Sequence, residues 1–182
     1  MLTDRYKIAL GYALKAHSLH TRKSTTIPYF SHVIGVSSLV LEYGGDEDQA
    51  IAGLLHDVIE DCGIENKAAI RERFGSTVLQ IVMDCTDSTE SEKSEWKPRK
   101  QAYIASLDEK ADSSLLVSCC DKLHNARSID RDYTNLGEEL WERFSPNKSD
   151  IAWYYRALTD KFLHRKIPAA KELKSVVDSV FR

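Results

Sequence analysis

Apolar residues recur at helical spacing along most of the chain. Residues 3–19 are typical and predict an amphipathic helix, in which charged residues are interspersed among Ile8, Leu10, Tyr12, Ala13, Leu14 and Ala16. No stretch alternates as a β-strand does. The pattern predicts an all-α fold, a compact bundle of about nine or ten helices in a single domain over residues 1–182. The further helices are predicted over residues 31–43, 46–61, 65–73, 76–85, 98–107, 112–130, 135–143, 149–165 and 168–180.

Turn-forming and polar residues separate these helices. Residues 21–28 are polar and end in proline, which predicts a loop. Glycines at positions 44 and 45 stop the second helix, and Asp46 can cap the third. Gly63 marks the end of the third helix. Residues 86–97 are polar and charged, which indicates a loop and a candidate lid.

The charge balance narrows the choice of partners. The 182-residue chain has a net charge of −3, whereas general nucleic-acid binders usually carry a basic surplus. We therefore expect no nucleic-acid partner, although a local basic pocket for a small anion fits this charge. No apolar run approaches ~20 residues, so we expect a soluble cytoplasmic protein without a membrane partner. The four cysteines lack CxxC spacing, which is typical of reduced thiols, and nothing in the sequence specifies an oligomeric state.

Residues 53–61 combine an apolar run with four ionisable side chains. On a continuous helix His56 and Glu60 share one edge, and Asp57 and Asp61 share the next. Burying three carboxylates and an imidazole together is costly unless they are paired or bind a metal. A divalent cation is the simplest stabilising partner for this cluster, and hydrolysis is the simplest reason to bind one.

Two more candidate ligands lie elsewhere in the chain. His32 opens the second predicted helix, and Asp121 shares a helix face with Asn125 four residues later. With the first cluster they supply two imidazoles and two carboxylates, from His32, His56, Asp57 and Asp121. This mixed set suits Mn²⁺, Fe²⁺ or Zn²⁺ better than Ca²⁺ and leaves positions open for water.

Other charged residues can act on a substrate at such a site. Glu60 and Asp61 lie one helical turn beyond the candidate ligands, where a carboxylate can orient or deprotonate an attacking water. Arg22 and Lys23 precede His32 and can grip a phosphate or stack on a base. Each feature also has a purely structural explanation: a hydrogen-bonded core histidine, a helix-end acidic pair or a solvated basic loop. Their combination in one chain favours function.

The order of these histidines and aspartates resembles the HD phosphohydrolase superfamily. Residues 22–32 resemble the RKSGEPY-x-x-H loop of the Rel/SpoT alarmone hydrolase domain. Residues 56–61 resemble its HDxxED motif, and residues 121–125 resemble its DRLHN motif. The resemblance extends over about residues 5–165, so the chain looks like a stand-alone small alarmone hydrolase of the Mesh1 type.

This resemblance implies an all-α HD domain that binds one Mn²⁺. It implies removal of pyrophosphate from the 3′ position of ppGpp or pppGpp, giving GDP or GTP, with the nucleotide as small-molecule partner. By motif position, the metal ligands would be His32, His56, Asp57 and Asp121. Glu60 and Asp61 would act on the water and its proton. The substrate contacts would be Arg22 and Lys23 at the purine, Asn125 at the ribose or its phosphate, and Ser128 in support.

Departures from these motifs bear on the substrate. Residues 24–27 lack the glycine and the acidic residue of the usual loop. Lys122 replaces an arginine, which keeps the positive charge but loses the planar guanidinium that can make two parallel hydrogen bonds. Arg99 and Lys100 can bind terminal phosphates, or they can belong to a solvated helix face. Tyr154 can line the nucleotide pocket, or it can belong to an aromatic cluster in the core. The substrate alternatives are an adenosine alarmone, NADPH or a nucleoside mono- or triphosphate. A non-catalytic binding module is the remaining alternative.

Overall fold

The computed structural model describes residues 1–87 and 95–182. These residues form ten α-helices and two short 3₁₀ helices. An isolated β-bridge joins Thr21 and Pro28. The predicted all-α fold is confirmed. No described helix has the length and apolarity needed to span a membrane. The α-helices are α1 (Asp4–Ala16), α2 (Phe30–Glu42), α3 (Glu47–Leu55), α4 (Val58–Cys62), α5 (Asn66–Phe74), α6 (Ser76–Cys85), α7 (Trp96–Ser106), α8 (Asp112–Leu136), α9 (Lys148–His164) and α10 (Ala170–Val180).

Side-chain caps define the starts of two early helices. The Thr3 hydroxyl accepts a hydrogen bond from the Arg5 amide at 3.2 Å at the start of α1. Asp46 and Gln49 form a capping box at α3, in which each side chain accepts from the other residue's amide at 2.9 Å. Such caps satisfy first-turn amides and contribute ~1 kcal/mol each. The predicted cap at Asp46 is confirmed.

The core lies where α2, α3 and α8 meet. α2 packs against both other helices, α1 packs on α3, and α10 packs along α8 and α9. Fully buried side chains occur from Ala9 in α1 to Leu173 in α10, so distant parts of the chain share this core. The three central helices carry or adjoin His32, His56 and Asp121. Core packing therefore brings candidate ligands from three parts of the sequence together.

The third helix is not continuous, so the prediction of one helix over residues 46–61 is wrong. α3 ends at Leu55, His56 and Asp57 form a turn, and α4 begins at Val58. The imidazole Nδ1 of His56 lies 2.8 Å from the Gly53 carbonyl oxygen, which a continuous helix would use for the Asp57 amide. A side chain thus replaces a backbone bond and interrupts the helix at its functional residues.

Further differences concern helix ends after residue 85. α8 runs to Leu136 rather than ending at residue 130, and Gly137, with a φ of 59°, ends it. A 3₁₀ helix, Gly137–Arg143, replaces the α-helix predicted over residues 135–143. α7 begins at Trp96, inside the predicted loop of residues 86–97. Most of that candidate lid, residues 88–94, lies outside the described residues.

Gly53 provides a test of how closely α2 and α3 pack. A Cβ at this position would lie 3.1 Å from Ser37 Cα. We expect Gly53→Ala to push the helices apart and lower the free energy of unfolding by ~1–3 kcal/mol. Gly11, in the middle of α1, is the matched control, because a Cβ there would meet nothing within 4 Å. Gly11→Ala should raise the same free energy by up to ~1 kcal/mol. Urea denaturation measures both, and equal stability of the two variants would contradict this packing.

Candidate active site

Two histidines and two aspartates meet at the junction of α2, α8 and the turn between α3 and α4. His32 Nε2 lies 3.6 Å from Asp57 Oδ2 and 3.2 Å from Asp121 Oδ1. His56 Nε2 lies 2.9 Å from Asp57 Oδ2 and 3.6 Å from Asp121 Oδ1. Donor atoms bound at ~2.1 Å to one ion are separated by roughly 3.0–3.5 Å, so the spacing suits a shared divalent cation. The fold therefore assembles all four residues of the predicted ligand set.

The imidazoles present unpaired nitrogens to the carboxylates. Because the Gly53 carbonyl only accepts hydrogen bonds, His56 Nδ1 carries a proton, and in the neutral imidazole it is Nε2 that has the lone pair. Within the described part of the chain, Nε2 of His32 and Nε2 of His56 are buried without a hydrogen-bond partner. Buried polar atoms without partners are costly, and a cation between them and the carboxylates removes that cost. The donor set thus fits a metal ion.

His124 on α8 supports His32. The Nδ1 atoms of the two rings lie 2.9 Å apart. Burial lowers the pKa of His124 to about 4, with His32 adding to the effect, so His124 is neutral near pH 7 and holds His32 by a single hydrogen bond. Gly35 on α2 makes room for this ring, since a Cβ there would lie 2.3 Å from His124 Nε2. Such support orients a metal-binding imidazole.

Both carboxylates of the cluster receive hydrogen bonds. Tyr29 Oη donates to Asp57 Oδ2, Lys122 Nζ to Asp121 Oδ2 and Asn125 Nδ2 to Asp121 Oδ1, each at 2.6 Å. Burial alone would raise the pKa of Asp121, but the Lys122 ammonium and the histidines hold that pKa well below its usual value. The pKa of Asp57 is likewise held low, against burial, by the neighbouring imidazoles. Ionised carboxylates are the form that binds cations.

Glu60 and Asp61 lie on α4, immediately after the ligand turn. The Asp61 amide donates to the Asp57 carbonyl at 2.8 Å, so α4 continues directly from the cluster. Burial, and then the carboxylates of Asp57 and Asp61, raise the pKa of Tyr29. Glu60 Oε2 accepts from the Asp87 amide at 3.2 Å. Both acidic residues therefore follow the candidate ligand Asp57 within about one helical turn.

A cavity of about 510 Å³ opens beside Tyr29. Four of the predicted substrate residues line it: Arg22, Lys23, Asn125 and Ser128. Arg22 Nη2 donates to Asn125 Oδ1 at 2.6 Å, which ties the loop before α2 to α8. The cavity combines cationic groups with flat apolar surfaces, as a nucleotide site does. Its apolar wall includes Ile27, Ile129, Leu140, Phe144 and Tyr155.

Arg99 and Tyr154 lie in a different cluster, around Asp87. Arg99 pairs with the Asp87 carboxylate, and Lys100 Nζ donates to the same group at 2.7 Å. Lys100 Nζ lies 5.0 Å from the centre of the Tyr154 ring. Neither Arg99 nor Tyr154 lines the 510 Å³ cavity. Since Asp87 also contacts Glu60, the predicted substrate residues form two groups, one at the cavity and one on the Glu60 side.

Several residues that shape the site had no role in the motif-based prediction. Tyr29 and His124 lie inside the sequence motifs, so the motifs could have drawn attention to both. Their contacts join distant parts of the chain, since Tyr29 contacts Asp57 and His124 contacts His32. Phe144 follows the 3₁₀ helix and carries no local signal. It reaches the cavity only through long-range packing, where Lys23 Nζ lies 6.0 Å from its ring centre.

Family and sequence comparisons agree with this site. The family model for the HD domain matches residues 9–151. The guanosine-3′,5′-bis(diphosphate) 3′-pyrophosphohydrolase MESH1 of Xenopus tropicalis is 33% identical over 126 residues, covering 68% of each chain. A GTP pyrophosphokinase of Myxococcus xanthus is 29% identical over 172 residues, which cover 86% of this chain. The match spans only 22% of that longer protein.

Solved structures give the same relationship. A structure described as a metazoan ortholog of SpoT that hydrolyses ppGpp superposes with a TM-score of 0.76 and 26% identity, covering 100% of this chain and 96% of the other. A protein of Listeria monocytogenes EGD-e superposes with a TM-score of 0.72 and 25% identity, covering 82% and 98%. The chain belongs to the HD-domain family, and its relatives include stand-alone enzymes of the MESH1 type.

Proposed function

We propose that the chain is a Mn²⁺-dependent hydrolase that removes the 3′-pyrophosphate from the guanosine alarmones ppGpp and pppGpp. The observation that carries the proposal is the cluster of two buried imidazoles and two carboxylates. The cavity lined by Arg22 and Asn125 adds a nucleotide-sized space that Tyr29 connects to the cluster. The names of the MESH1 relatives and of the metazoan SpoT ortholog support the substrate. We also propose one domain over residues 1–182, supported by the shared core.

The proposed metal ligands are the nitrogens and carboxylates already described: His32, His56, Asp57 and Asp121. Two neutral nitrogens and two carboxylate oxygens suit Mn²⁺, and Fe²⁺ or Zn²⁺ would also be accommodated. Such an ion, when bound, polarises a phosphoryl oxygen and makes water more acidic. The orientation of the ligands comes from the Gly53 carbonyl and His124 on the imidazole side, and from Tyr29 on the carboxylate side.

Glu60 and Asp61 are proposed to handle the attacking water and its proton. Both residues lie on the short helix α4, which continues directly from the turn that carries His56 and Asp57. One carboxylate accepts the proton of the water as its oxygen attacks the phosphorus, and the bond to the ribose 3′ oxygen breaks. A proton returned to that oxygen completes GDP or GTP and releases pyrophosphate.

The cavity residues are proposed to position the nucleoside. Arg22 offers a planar fork for the purine, Lys23 a point charge, and Phe144 a flat apolar surface. Asn125 is held between Arg22 and Asp121, so it links the nucleoside side to the metal side of the site. Ser128 lines the same cavity one helical turn later. Arg99, with Tyr154 nearby, is proposed to face terminal phosphates on the Glu60 side, in exchange for its contact with Asp87.

The substrate is tested by turnover. We expect the purified chain with Mn²⁺ to convert ppGpp into GDP and pyrophosphate, and chelation with EDTA to stop the reaction. A panel of ppGpp, an adenosine alarmone, NADPH and GTP should rank ppGpp first by kcat/KM, measured by chromatography of products. Turnover of another member of the panel ahead of ppGpp would show that the guanosine assignment is wrong.

The ligand set is tested by removing Asp121. Asp121→Ala leaves His32 and His56 facing a single carboxylate, so we expect loss of bound metal and of hydrolysis. Asp178→Ala, on the exposed surface of α10, should retain both. Metal analysis after gel filtration and a pyrophosphate-release assay measure the two properties, with circular dichroism to confirm folding. Full activity in Asp121→Ala would refute its assignment as a ligand.

The role of Glu60 is tested by a charge-neutral replacement. Glu60→Gln keeps the shape of the side chain but removes a proton acceptor, so kcat should fall by ~10²–10⁴-fold while metal content stays unchanged. The matched variant Glu65→Gln changes an exposed glutamate in the turn after α4 and should retain the parent kcat. Steady-state kinetics with ppGpp separate the two variants. An unchanged kcat in Glu60→Gln would remove Glu60 from the chemical step.

A further inference from the structure

A second group of metal-binding residue types lies behind the candidate active site. It consists of His17, which follows α1, His20 in the next turn, and Cys62 at the end of α4. One ligand atom from each lies within 4.8 Å of the other two. His17 Nδ1 lies 3.2 Å from His20 Nδ1 and 3.9 Å from Cys62 Sγ. None of the three belongs to the proposed active-site ligand set.

The separations suit one small cation. Two imidazole nitrogens bound to tetrahedral Zn²⁺ at ~2.0–2.1 Å are roughly 3.3 Å apart, and a nitrogen and a thiolate sulfur are roughly 3.6 Å apart. The observed 3.2 and 3.9 Å differ from these values by a few tenths of an ångström. His17 is almost fully buried, and its Nε2 has no hydrogen-bond partner in the described part of the chain. Burial holds the ring, and Nδ1 is the ring atom that faces the other two residues.

The protonation states also suit metal binding. Burial lowers the pKa of His17 to about 4, so its imidazole is neutral near pH 7, which is the ligating form. Cys62 is a free thiol whose Sγ lies 3.5 Å from the Ala16 carbonyl oxygen. Burial raises the pKa of this thiol to about 11, so it stays protonated until a cation displaces its proton.

We propose that His17 Nδ1, His20 Nδ1 and Cys62 Sγ form a second metal site, selective for a zinc-class divalent cation with an affinity for thiolate. On binding, the thiol proton passes to solvent, the two imidazoles contribute lone pairs, and a fourth position stays open for water. The site differs in chemistry from the His32–Asp121 cluster, which offers nitrogen and oxygen donors alone. It stands whether or not the proposed alarmone activity is correct.

The location connects this site to the catalytic one. The His17 ring packs on the Tyr29 ring, with 4.9 Å between their centres, and Tyr29 donates to Asp57. The His20 carbonyl accepts from the Tyr29 amide at 2.9 Å, at the base of the loop that carries Arg22. A cation here would join the end of α1 to the end of α4 and fix the base of that loop. Its effect would therefore be structural support behind the active site.

Cobalt provides the test, because Co²⁺ bound to a thiolate gives a charge-transfer absorption that Co²⁺ on histidine and carboxylate does not. The metal-free chain is titrated with Co²⁺ alone, without nucleotide. We expect about two ions per chain and the thiolate band. Cys62→Ser should abolish the band and bind one ion fewer, whereas Cys85→Ser, which changes another free cysteine outside the cluster, should keep both.

Two further variants complete the design. Asp121→Ala should keep the thiolate band while losing the other ion, so failure of the catalytic site is distinguishable from failure of this one. His20→Gln changes a half-buried ligand and serves as the second variant if circular dichroism shows that Cys62→Ser is unfolded. We expect it to lower the Co²⁺ affinity, measured from the thiolate band, by at least ~10-fold. Absence of the band in the parent chain, or its persistence in both Cys62→Ser and His20→Gln, would overturn the proposal and leave a hydrogen-bonded histidine pair.

Discussion

The hydrogen bond from His56 Nδ1 to the Gly53 carbonyl is the interaction on which the candidate active site depends. It interrupts the helix after Leu55, so Asp57, two residues later, leaves the register of α3. The same bond places a proton on Nδ1, so that in the neutral imidazole the lone pair is on Nε2, toward the carboxylates. Gly53 has a second constraint, because its missing side chain allows α3 to approach Ser37 on α2. Gly53 therefore affects both the packing of α3 on α2 and the orientation of the His56 ring.

The charges around this bond explain why the cluster favours a cation. Asp121 is buried and Asp57 half-buried, and in the described part of the chain Lys122 pairs with Asp121. Although burial opposes it, these carboxylates raise the pKa of His56 well above its usual value, which indicates that the position between them favours positive charge. A divalent ion held by His32, His56, Asp57 and Asp121 would supply a larger compensating charge than a proton does. A proton and a metal ion would therefore compete for this position, where the two carboxylates make the electrostatic potential negative.

Much of the fold and the ligand set could be predicted, because both are encoded locally. Helical periodicity gave the positions of most helices, and motif order nominated His32, His56, Asp57 and Asp121, which the fold brings together. The break at His56 was missed since a side-chain bond to the backbone overrides an otherwise helical pattern. The aromatic wall of the cavity was missed for another reason. Phe144 joins residues more than a hundred positions earlier in the chain, a contact that no local pattern contains.

The loop before α2 shows how a departure from a motif can leave the geometry of a site in place. Residues 24–27 lack the usual glycine, yet Ser24 adopts a φ of 57°, the left-handed conformation that glycine favours. The Thr25 hydroxyl closes the turn by donating to the Arg22 carbonyl at 2.9 Å and accepting from the Ile27 amide at 3.1 Å. Arg22 therefore still reaches Asn125. Because the acid is missing while Arg22 keeps its place, the described lining of the cavity beside this loop combines Arg22 with the apolar wall rather than with a loop carboxylate.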